Sequence, residues 1–502
     1  MKAHAHAPTR VQHADVDSDA PVPTGEAPET KLDDPILVAV TPGDGAPADP
    51  AADEILKSPA APTSAAGSPP AGTSTLEQAR REGPLGFLHL LGPGLITGAS
   101  DDDPSGIGTY SQVGSQFGFG LLWTSLFTFP LMAAVQEMCA RIALQTGVGL
   151  GVSLRRRFPT WLVGIAILAL LVANTINVGA DLGAVAAGGS MLTRGAIPAI
   201  WLIVPVTALI LGLQVFASYA VIFRVFKWLT LALFAYIITA FVAHPNLVAV
   251  TRATLVPHLE FSGAFITALV AILGTTISPY LFFWQASSEV DEMKAAGKTA
   301  EAARRGVQIE ELKAARFDIF TGMLFSNMVM FFIILTSAAV LHAHGKTDIQ
   351  TADQAAAALT PFAGPYAFVL FAAGMIGAGL LAVPILSASA AYALKEFLRL
   401  PGGLATKARY RPTFYAILVA ATVAGAVMNF AHVDPIKALF LTAVVNGLVA
   451  PPLLILIVIL ASDREVMKER VSGPLSKTLT WAAAGVMSAA AVGMGYTTFF
   501  QK

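Results

Sequence analysis

The stretch that determines the fold is residues 92–106, which read GPGLITGASDDDPSG. Three carboxylates and a proline stand inside an otherwise apolar segment that is long enough to cross a membrane. Proline removes a helical N–H and clashes with the preceding turn, and the glycine that follows makes a break easier. The stretch therefore predicts a membrane helix that is interrupted near Pro104.

A second segment of the same kind lies at residues 274–280, which read GTTISPY. Unwound backbone at membrane depth is tolerated only where it is buried in protein or lines a cavity. Either segment alone is also consistent with a simple proline kink. Two interrupted helices, one in each half of the hydrophobic chain, are the sequence pattern that best indicates the substrate site of a transporter.

The composition of the whole chain is that of a polytopic membrane protein. Of its 502 residues, 55% are hydrophobic and 13% are charged, and the mean hydropathy is +0.64. Soluble proteins carry about 25% charged residues. The single cysteine, Cys139, excludes an internal disulfide and a multi-cysteine metal site.

Two other classes of protein are not expected. The basic residues are spread between apolar spans rather than clustered, so the sequence predicts no nucleic-acid partner. The chain has no nucleophile–base pair, phosphate loop or catalytic metal motif, so it is not predicted to be an enzyme.

The chain divides into two regions. Residues 1–83 are rich in Ala, Pro, Asp, Ser and Thr and are predicted to form a disordered cytoplasmic tail. Residues 84–502 are predicted to form the transmembrane domain, because their apolar segments are each close to the 20 or so residues that span a bilayer. We place eleven spans near 88–111, 119–145, 160–184, 197–217, 227–243, 262–284, 317–341, 366–396, 412–431, 436–460 and 478–499.

The distribution of basic residues predicts the topology. One side of the predicted membrane has 22 Lys and Arg residues and the other has 5, which places the N-terminus in the cytoplasm and the C-terminus outside. The two breaks fall in spans one and six, as two repeats of five helices plus an eleventh helix require. We therefore predict an all-α polytopic protein of the inner (plasma) membrane that contacts the lipid bilayer. Because such a fold is self-contained, we expect a monomer.

The acidic residues at the first break indicate the substrate. A carboxylate at the bilayer centre costs about 2.5–3.5 kcal/mol, so it usually has a partner or a function. Asp103 is expected to face the site, whereas Asp101 and Asp102 could instead face a water-filled vestibule or a helix end. Exposed carbonyls around Ser100 and Thr275 are hard oxygen donors, which magnesium, calcium and manganese prefer. We predict a cation as the transported substrate and no resident cofactor.

The two breaks together resemble those of the NRAMP divalent metal transporters, over all eleven spans. The family pattern is Asp-Pro-Gly-Asn in the first span and Met-Pro-His in the sixth. Asp103 and Pro104 match it. Gly106 replaces the asparagine ligand, Ser278 replaces the methionine and Tyr280 replaces the histidine. The resemblance implies a LeuT-like fold of inverted five-helix repeats, alternating access, and a metal ion held by both broken helices.

The departures from the family pattern bear on the choice of ion. In the family the methionine sulfur favours softer transition metals, whereas the Ser278 hydroxyl is only a hard donor. The absent side chain at Gly106 is expected to widen the site, which suits magnesium because this ion keeps several of its waters. We therefore expect Mg²⁺ uptake, with Mn²⁺ as a second substrate, as in the NRAMP-related magnesium transporter branch.

The residues linked to proton coupling also depart from the family. The family's proton route in the third span, Asp-Leu-Ala-Glu, here begins at Asp181 and ends at Ala184. Tyr280 does not titrate near neutral pH as histidine does. These changes predict weak or no proton coupling. Asp181 is then either a second carboxylate near the ion or a capped, helix-paired residue.

Several alternatives remain open at this stage. The chain could be an ordinary proton-coupled Mn²⁺ or Fe²⁺ importer, an organic-solute symporter, or a membrane sensor without transport. Asn446 in the tenth span could line the pathway or form an interhelical hydrogen bond.

Overall fold

The computed structural model describes residues 92–216, 233–404, 408–431 and 434–500, and over these ranges every regular element is a helix. The predicted tail, residues 1–83, lies outside the described residues. The α-helices are α1 (Pro93–Asp101), α2 (Pro104–Phe117), α3 (Trp123–Thr146), α4 (Leu150–Arg157), α5 (Thr160–Leu192), α6 (Ala199–Phe216), α7 (Phe234–Val242), α8 (Leu247–Leu255), α9 (Gly263–Thr276), α10 (Pro279–Ala295), α11 (Glu301–Arg304), α12 (Ile309–Val340), α13 (Ala352–Ala356), α14 (Thr360–Ala363), α15 (Ala367–Leu398), α16 (Pro412–Met428), α17 (Pro435–Ser462), α18 (Arg464–Met467) and α19 (Pro474–Phe500).

The predicted spans correspond to these helices. Within the described ranges, nine helices are long and apolar enough to cross a membrane. The first predicted span is not among the nine, because the break divides it into the short helices α1 and α2. The fifth is represented by α7 alone, since residues 217–232 are not described. The prediction of an all-α polytopic protein is confirmed.

Large apolar side chains are exposed on the outer helices. Trp161, Trp201 and Phe241 expose 68%, 74% and 67% of their surface. A soluble monomer rarely presents so many large apolar side chains to solvent. In a bilayer, lipid covers such side chains, in agreement with the apolar length of the helices.

Both predicted interruptions are present. α1 ends at Asp101 and α2 begins at Pro104, while α9 ends at Thr276 and α10 begins at Pro279. Each proline is the first residue of the second half-helix, where a missing N–H removes no intrahelical hydrogen bond. The two halves are therefore separate helices with their own ends rather than one kinked helix.

Glycines bring the broken helices into backbone contact with their neighbours. A Cβ atom on Gly98 of α1 would lie 2.1 Å from the carbonyl oxygen of Gly322 in α12. One on Gly274 of α9 would lie 2.0 Å from the carbonyl oxygen of Ala443 in α17. Since no side chain fits at either crossing, α1 packs directly on α12 and α9 packs directly on α17.

The N-terminus of α1 is capped by a residue distant in the sequence. The Asp318 carboxylate of α12 accepts hydrogen bonds from the backbone N–H groups of Gly92 (2.9 Å), Gly94 (2.6 Å) and Leu95 (3.0 Å). These N–H groups have no intrahelical partner, and a negative charge at a helix N-terminus is favourable. Asp318 thus holds the first turn of α1 against α12.

Candidate metal-ion site

Asp103 lies in the first break and caps α2. Its Oδ1 accepts hydrogen bonds from the backbone N–H of Gly106 and the hydroxyl of Ser105, each at 2.7 Å. Its Oδ2 accepts one from the side-chain amide of Asn177 in α5 at 3.0 Å. The residue is 1% exposed. The break therefore places this carboxylate inside the helix bundle and turns one oxygen towards α5.

Asp101 and Asp102 point to a different helix. The Ser326 hydroxyl of α12 lies 2.7 Å from Oδ2 of Asp101 and 3.3 Å from Oδ1 of Asp102. Asp101 is the last residue of α1 and Asp102 follows it, so both lie at a helix end, which is one of the two expected alternatives. Packing against α12 leaves the two residues only 0% and 2% exposed in this structure.

The second break offers hydroxyl and carbonyl oxygens. The Ser278 hydroxyl donates to the carbonyl oxygens of Thr275 at 2.7 Å and of Gly274 at 3.1 Å, within its own turn. A hydroxyl that donates its proton in this way keeps its lone pairs for another partner. Ser278 can therefore still present a hard oxygen, although its orientation is set by α9.

Hydrogen bonds join the two broken helices, and one of them lies at the breaks themselves. The Tyr280 hydroxyl of α10 donates to the carbonyl oxygen of Ser100 in α1 at 2.8 Å. Both residues are predicted site residues, and the structure brings them together. The Ser100 carbonyl oxygen, an expected ligand, thus already accepts one hydrogen bond and has one lone pair left.

The space beside Gly106 is filled by neighbouring side chains. A Cβ atom on Gly106 would lie 3.3 Å from Oγ1 of Thr275 and 3.3 Å from the ring of Tyr110. The widening of the site expected at Gly106 is therefore not found there, because these two side chains occupy the space. Gly106 instead allows α2 to approach α9 closely.

Asp181 is buried in α5 and is 0% exposed. Neither of its carboxylate oxygens has a hydrogen-bond partner in the part of the chain that the structure describes. The backbone of Ser105 lies near it, but outside hydrogen-bonding geometry. The alternative interpretation, that Asp181 is a capped or paired residue, requires a partner for its side chain. The described residues provide none.

Asn446 lies in α17 and is 1% exposed. Its side-chain Nδ2 has no hydrogen-bond partner among the residues described. The helix that carries it crosses α9 at Gly274, beside the second break. The structure thus places Asn446 on a helix next to the break, with no hydrogen bond from its Nδ2 across to another described helix.

The electrostatics of this region are dominated by unpaired acids. Asp101, Asp102, Asp103 and Asp181 are each at most 2% exposed. Every ion pair found among the described residues involves other acids. Buried carboxylates without basic partners are costly, so a cation that enters this region is strongly attracted.

The acids alone do not form a complete metal-binding cage. Over the described ranges, no group of three or more His, Cys, Asp or Glu side chains is arranged to hold a metal ion. A bound cation must therefore take further oxygens from hydroxyls, carbonyls, amides or water.

A cavity of about 560 Å³ among the described residues lies away from these side chains. Arg194, Asp353 and Asp434 are among the residues that line it, and none of the predicted site residues does. We assign the site from the chemistry at the breaks, because unpaired buried carboxylates attract a cation and an open cavity with mixed charges does not.

Two polar residues near the breaks are missing from the sequence-based prediction. Asn177 holds Asp103, and Ser326 holds Asp101 and Asp102. Asn177 can be identified from the sequence, since it lies four residues before Asp181 and therefore on the same face of an apolar helix. Ser326 cannot be identified in this way, because a serine in an apolar span is common and its partner Asp101 lies 225 residues away.

Known proteins resemble this chain in sequence. The divalent metal cation transporter MntH of Pectobacterium carotovorum is 26% identical over 409 residues, which is 80% of this chain and 92% of that protein. The transporter of the same name from Klebsiella pneumoniae is 24% identical over 407 residues, again 80% of this chain and 92% of that protein.

Solved structures resemble it in fold. The Eremococcus coleocola manganese transporter, in complex with an aromatic bis-isothiourea substituted compound, superposes with a TM-score of 0.63 at 17% identity. The match covers 86% of this chain and 90% of that one. Mhp1, a nucleobase-cation-symport-1 family transporter, superposes with a TM-score of 0.50 at 18% identity, over 81% of this chain and 93% of that one. At these identities the likeness concerns the fold alone, and it agrees with the predicted LeuT-like architecture.

The family model described as natural resistance-associated macrophage protein-like matches residues 94–497. That range contains both breaks and most of the chain. The chain therefore belongs to the Nramp family.

Proposed function

We propose that this chain is a secondary transporter that carries divalent metal cations across the membrane by alternating access. The observation that carries the proposal is the set of four buried carboxylates at and beside the first break, none of which is paired with a basic residue over the described ranges. The relatives named as divalent metal cation transporters support the same substrate class.

The ion that suits the site best is a hard one. The eight predicted site residues offer oxygen donors only, without sulfur or imidazole. Oxygen ligands suit Mg²⁺ and Mn²⁺ better than they suit softer metals. We propose Mg²⁺ as the main substrate and Mn²⁺ as the second. This order rests on the chemistry of the site alone, since the names of the relatives refer to divalent metal cations and to manganese.

We propose that the ion's own gradient and the membrane potential drive uptake. An inward-negative potential contributes about 2.3 kcal/mol per charge for every 100 mV, so a divalent ion needs no co-substrate. Two features support weak or absent proton coupling. The Tyr280 hydroxyl donates to a carbonyl where the family has a histidine, and Ala184 stands where it has a glutamate.

A second candidate is a proton-coupled manganese or iron importer of the ordinary Nramp type. The manganese transporter named above favours it, as does the retention of Asp181 in α5. The two candidates differ in whether protons accompany the metal.

The deciding experiment is uptake of Mg²⁺ and of Mn²⁺ into proteoliposomes while the internal pH is recorded. Mg²⁺ uptake without internal acidification, abolished in Asp103→Ala, supports the main proposal. Uptake of Mn²⁺ alone, with acidification, supports the second candidate. Absence of uptake of either ion by the wild-type protein contradicts both.

A further inference from the structure

Asn177 of α5 has an unused oxygen beside the first break. Its side-chain Nδ2 lies 3.0 Å from Oδ2 of Asp103, and the residue is 0% exposed. Its Oδ1, the other end of the same amide, has no hydrogen-bond partner among the described residues. Buried acceptors are normally satisfied, so an orphaned one next to a carboxylate requires an explanation.

The nearest turn of the same helix presents a second set of unused oxygens. Asp181 follows Asn177 by four residues, so the two side chains lie on one face of α5. Both oxygens of Asp181 lack a hydrogen-bond partner in the described ranges. A Cβ atom on Gly379 of α15 would lie 3.6 Å from the carbonyl oxygen of Asp181 and 3.3 Å from the ring of Pro104, which places Asp181 beside the first break. One face of α5 and the first break therefore bring buried oxygens together.

The hydroxyl groups of the second break are directed away from these oxygens of α5 and the first break. The Ser278 hydroxyl is directed at the carbonyl oxygens of its own turn, and the Tyr280 hydroxyl is directed at Ser100. Gly106 has no side chain with which to offer an amide oxygen. A cation in this region thus meets two carboxylates and one amide oxygen on the α5 side of the break.

We infer that Oδ1 of Asn177 is a ligand of the transported cation, together with the carboxylates of Asp103 and Asp181. This inference rests on the function proposed above and names a ligand that it does not include. The Asn177 amide then has two roles. Its Nδ2 donates to Asp103 and orients that carboxylate, and its Oδ1 coordinates the ion. The cation is then bound where the first break meets α5, and the site selects divalent ions that accept oxygen ligands.

Substitutions at Asn177 separate coordination from orientation. Asn177→Leu removes the oxygen and the N–H donor. Asn177→Asp keeps an oxygen ligand but cannot donate to Asp103 when ionised. The matched control is Thr175→Val on the same helix, because the Thr175 hydroxyl donates to its own helix at Leu171 and lies away from the break. Each purified full-length protein is tested for Mn²⁺ binding by calorimetry and for Mg²⁺ and Mn²⁺ uptake in proteoliposomes.

The expected pattern has three parts. Asn177→Leu raises the Kd for Mn²⁺ and the KM for uptake by about tenfold or more, as loss of a metal-site contact usually does. Asn177→Asp binds Mn²⁺ at least as tightly as the wild-type protein. Thr175→Val matches the wild-type protein in both measurements.

Other results overturn the inference. If Asn177→Asp is as weak as Asn177→Leu, the residue acts only by donating to Asp103 and is a positioning residue. If Asn177→Leu binds Mn²⁺ normally, Oδ1 is not a ligand. If Asn177→Leu does not fold, as judged by size-exclusion elution, the affinity of Asn177→Asp decides the question alone. If the wild-type protein neither binds nor transports a divalent ion, the proposed function is wrong, and this inference is wrong as well.

Discussion

The Tyr280 hydroxyl donates to the Ser100 carbonyl oxygen at 2.8 Å and so forms a direct hydrogen bond between the two broken helices. The contact joins α10, after the second break, to the end of α1, before the first. Both residues are fully buried, so water does not compete for either group. The relative position of the two breaks thus depends in part on this phenol, together with the hydrogen bond from the Thr97 hydroxyl of α1 to the side-chain oxygen of Gln285 in α10.

Replacement of this phenol is expected to loosen the site. Tyr280→Phe leaves the Ser100 carbonyl oxygen buried without its donor, which costs about 1–3 kcal/mol. We expect a lower apparent melting temperature in detergent and a raised KM for metal uptake. Thermal unfolding, monitored by intrinsic fluorescence, measures the melting temperature. Proteoliposome uptake measures the KM. An unchanged melting temperature together with an unchanged KM would show that the contact is dispensable.

The charge of Asp103 can be separated from its role as a helix cap. Asparagine is also a good N-cap residue, so Asp103→Asn should fold with little loss of stability. It removes the negative charge that attracts the cation. We expect metal uptake to fall by at least about tenfold, which corresponds to the loss of about 1.4 kcal/mol of binding free energy.

The control for this substitution is Asp348→Asn, which changes the same functional group in an exposed loop. It should transport at the wild-type rate. Normal uptake by Asp103→Asn would contradict the assignment of this carboxylate to the ion.

The oxygen-only character of the site predicts the effect of adding sulfur. Ser278→Met introduces a thioether, a soft donor that favours softer metals. We expect Cd²⁺ to become a stronger inhibitor of Mg²⁺ uptake in this variant than in the wild-type protein. Ser278→Ala, which removes the hydroxyl without adding sulfur, should show no such gain. Equal Cd²⁺ inhibition in all three proteins would indicate that position 278 does not face the ion.

Asp318 is predicted to stabilise α1 without touching the ion. Asp318→Ala leaves three N–H groups at the start of α1 without their acceptor, and loss of a cap costs about 0.5–2 kcal/mol. Asp318→Asn retains one acceptor oxygen and should be intermediate. The melting temperature should be highest for the wild-type protein, lower for Asp318→Asn and lowest for Asp318→Ala. The folded fraction of each variant should bind Mn²⁺ with the same Kd as the wild-type protein.

The glycine contact between α1 and α12 predicts a folding defect. A Cβ on Gly98 would lie 2.1 Å from a backbone oxygen of Gly322, and overpacking of this kind costs about 1–3 kcal/mol or more. Gly98→Ala should therefore yield little folded protein on size-exclusion chromatography. Gly485→Ala in α19 is the control, because no atom lies within 4 Å of the added methyl group. A normal yield of Gly98→Ala would mean that the two helices can separate freely.

The sequence predicts the broken helices correctly because their causes are local. Pro104 and Pro279 lack an N–H wherever they stand, and each begins a new helix in the structure. The nine long apolar helices within the described ranges follow for the same reason, since apolar length is a property of the segment itself. The exact helix ends differ by several residues, because capping and packing extend helices such as α5 beyond the apolar run.

The surroundings of the site could not be predicted in the same way. The sequence leaves open whether Asp101 and Asp102 face a vestibule or a helix end, because their burial against Ser326 depends on a residue more than 200 positions away in the chain. Gly106 has no side chain, yet the space beside it is filled by Thr275 and Tyr110. Which neighbour fills a gap is decided by the packing of helices, which a single sequence does not reveal.

The attachment of α1 to α12 has a mechanical consequence. Gly98 lies in backbone contact with Gly322, and Asp318 holds the first turn of α1 at the same surface. The two helices should therefore swing as one rigid body when the protein opens. The hinge then falls in the unwound residues between Asp101 and Pro104, which carry the carboxylates, so the pivot of the motion and the proposed cation site share the same few residues.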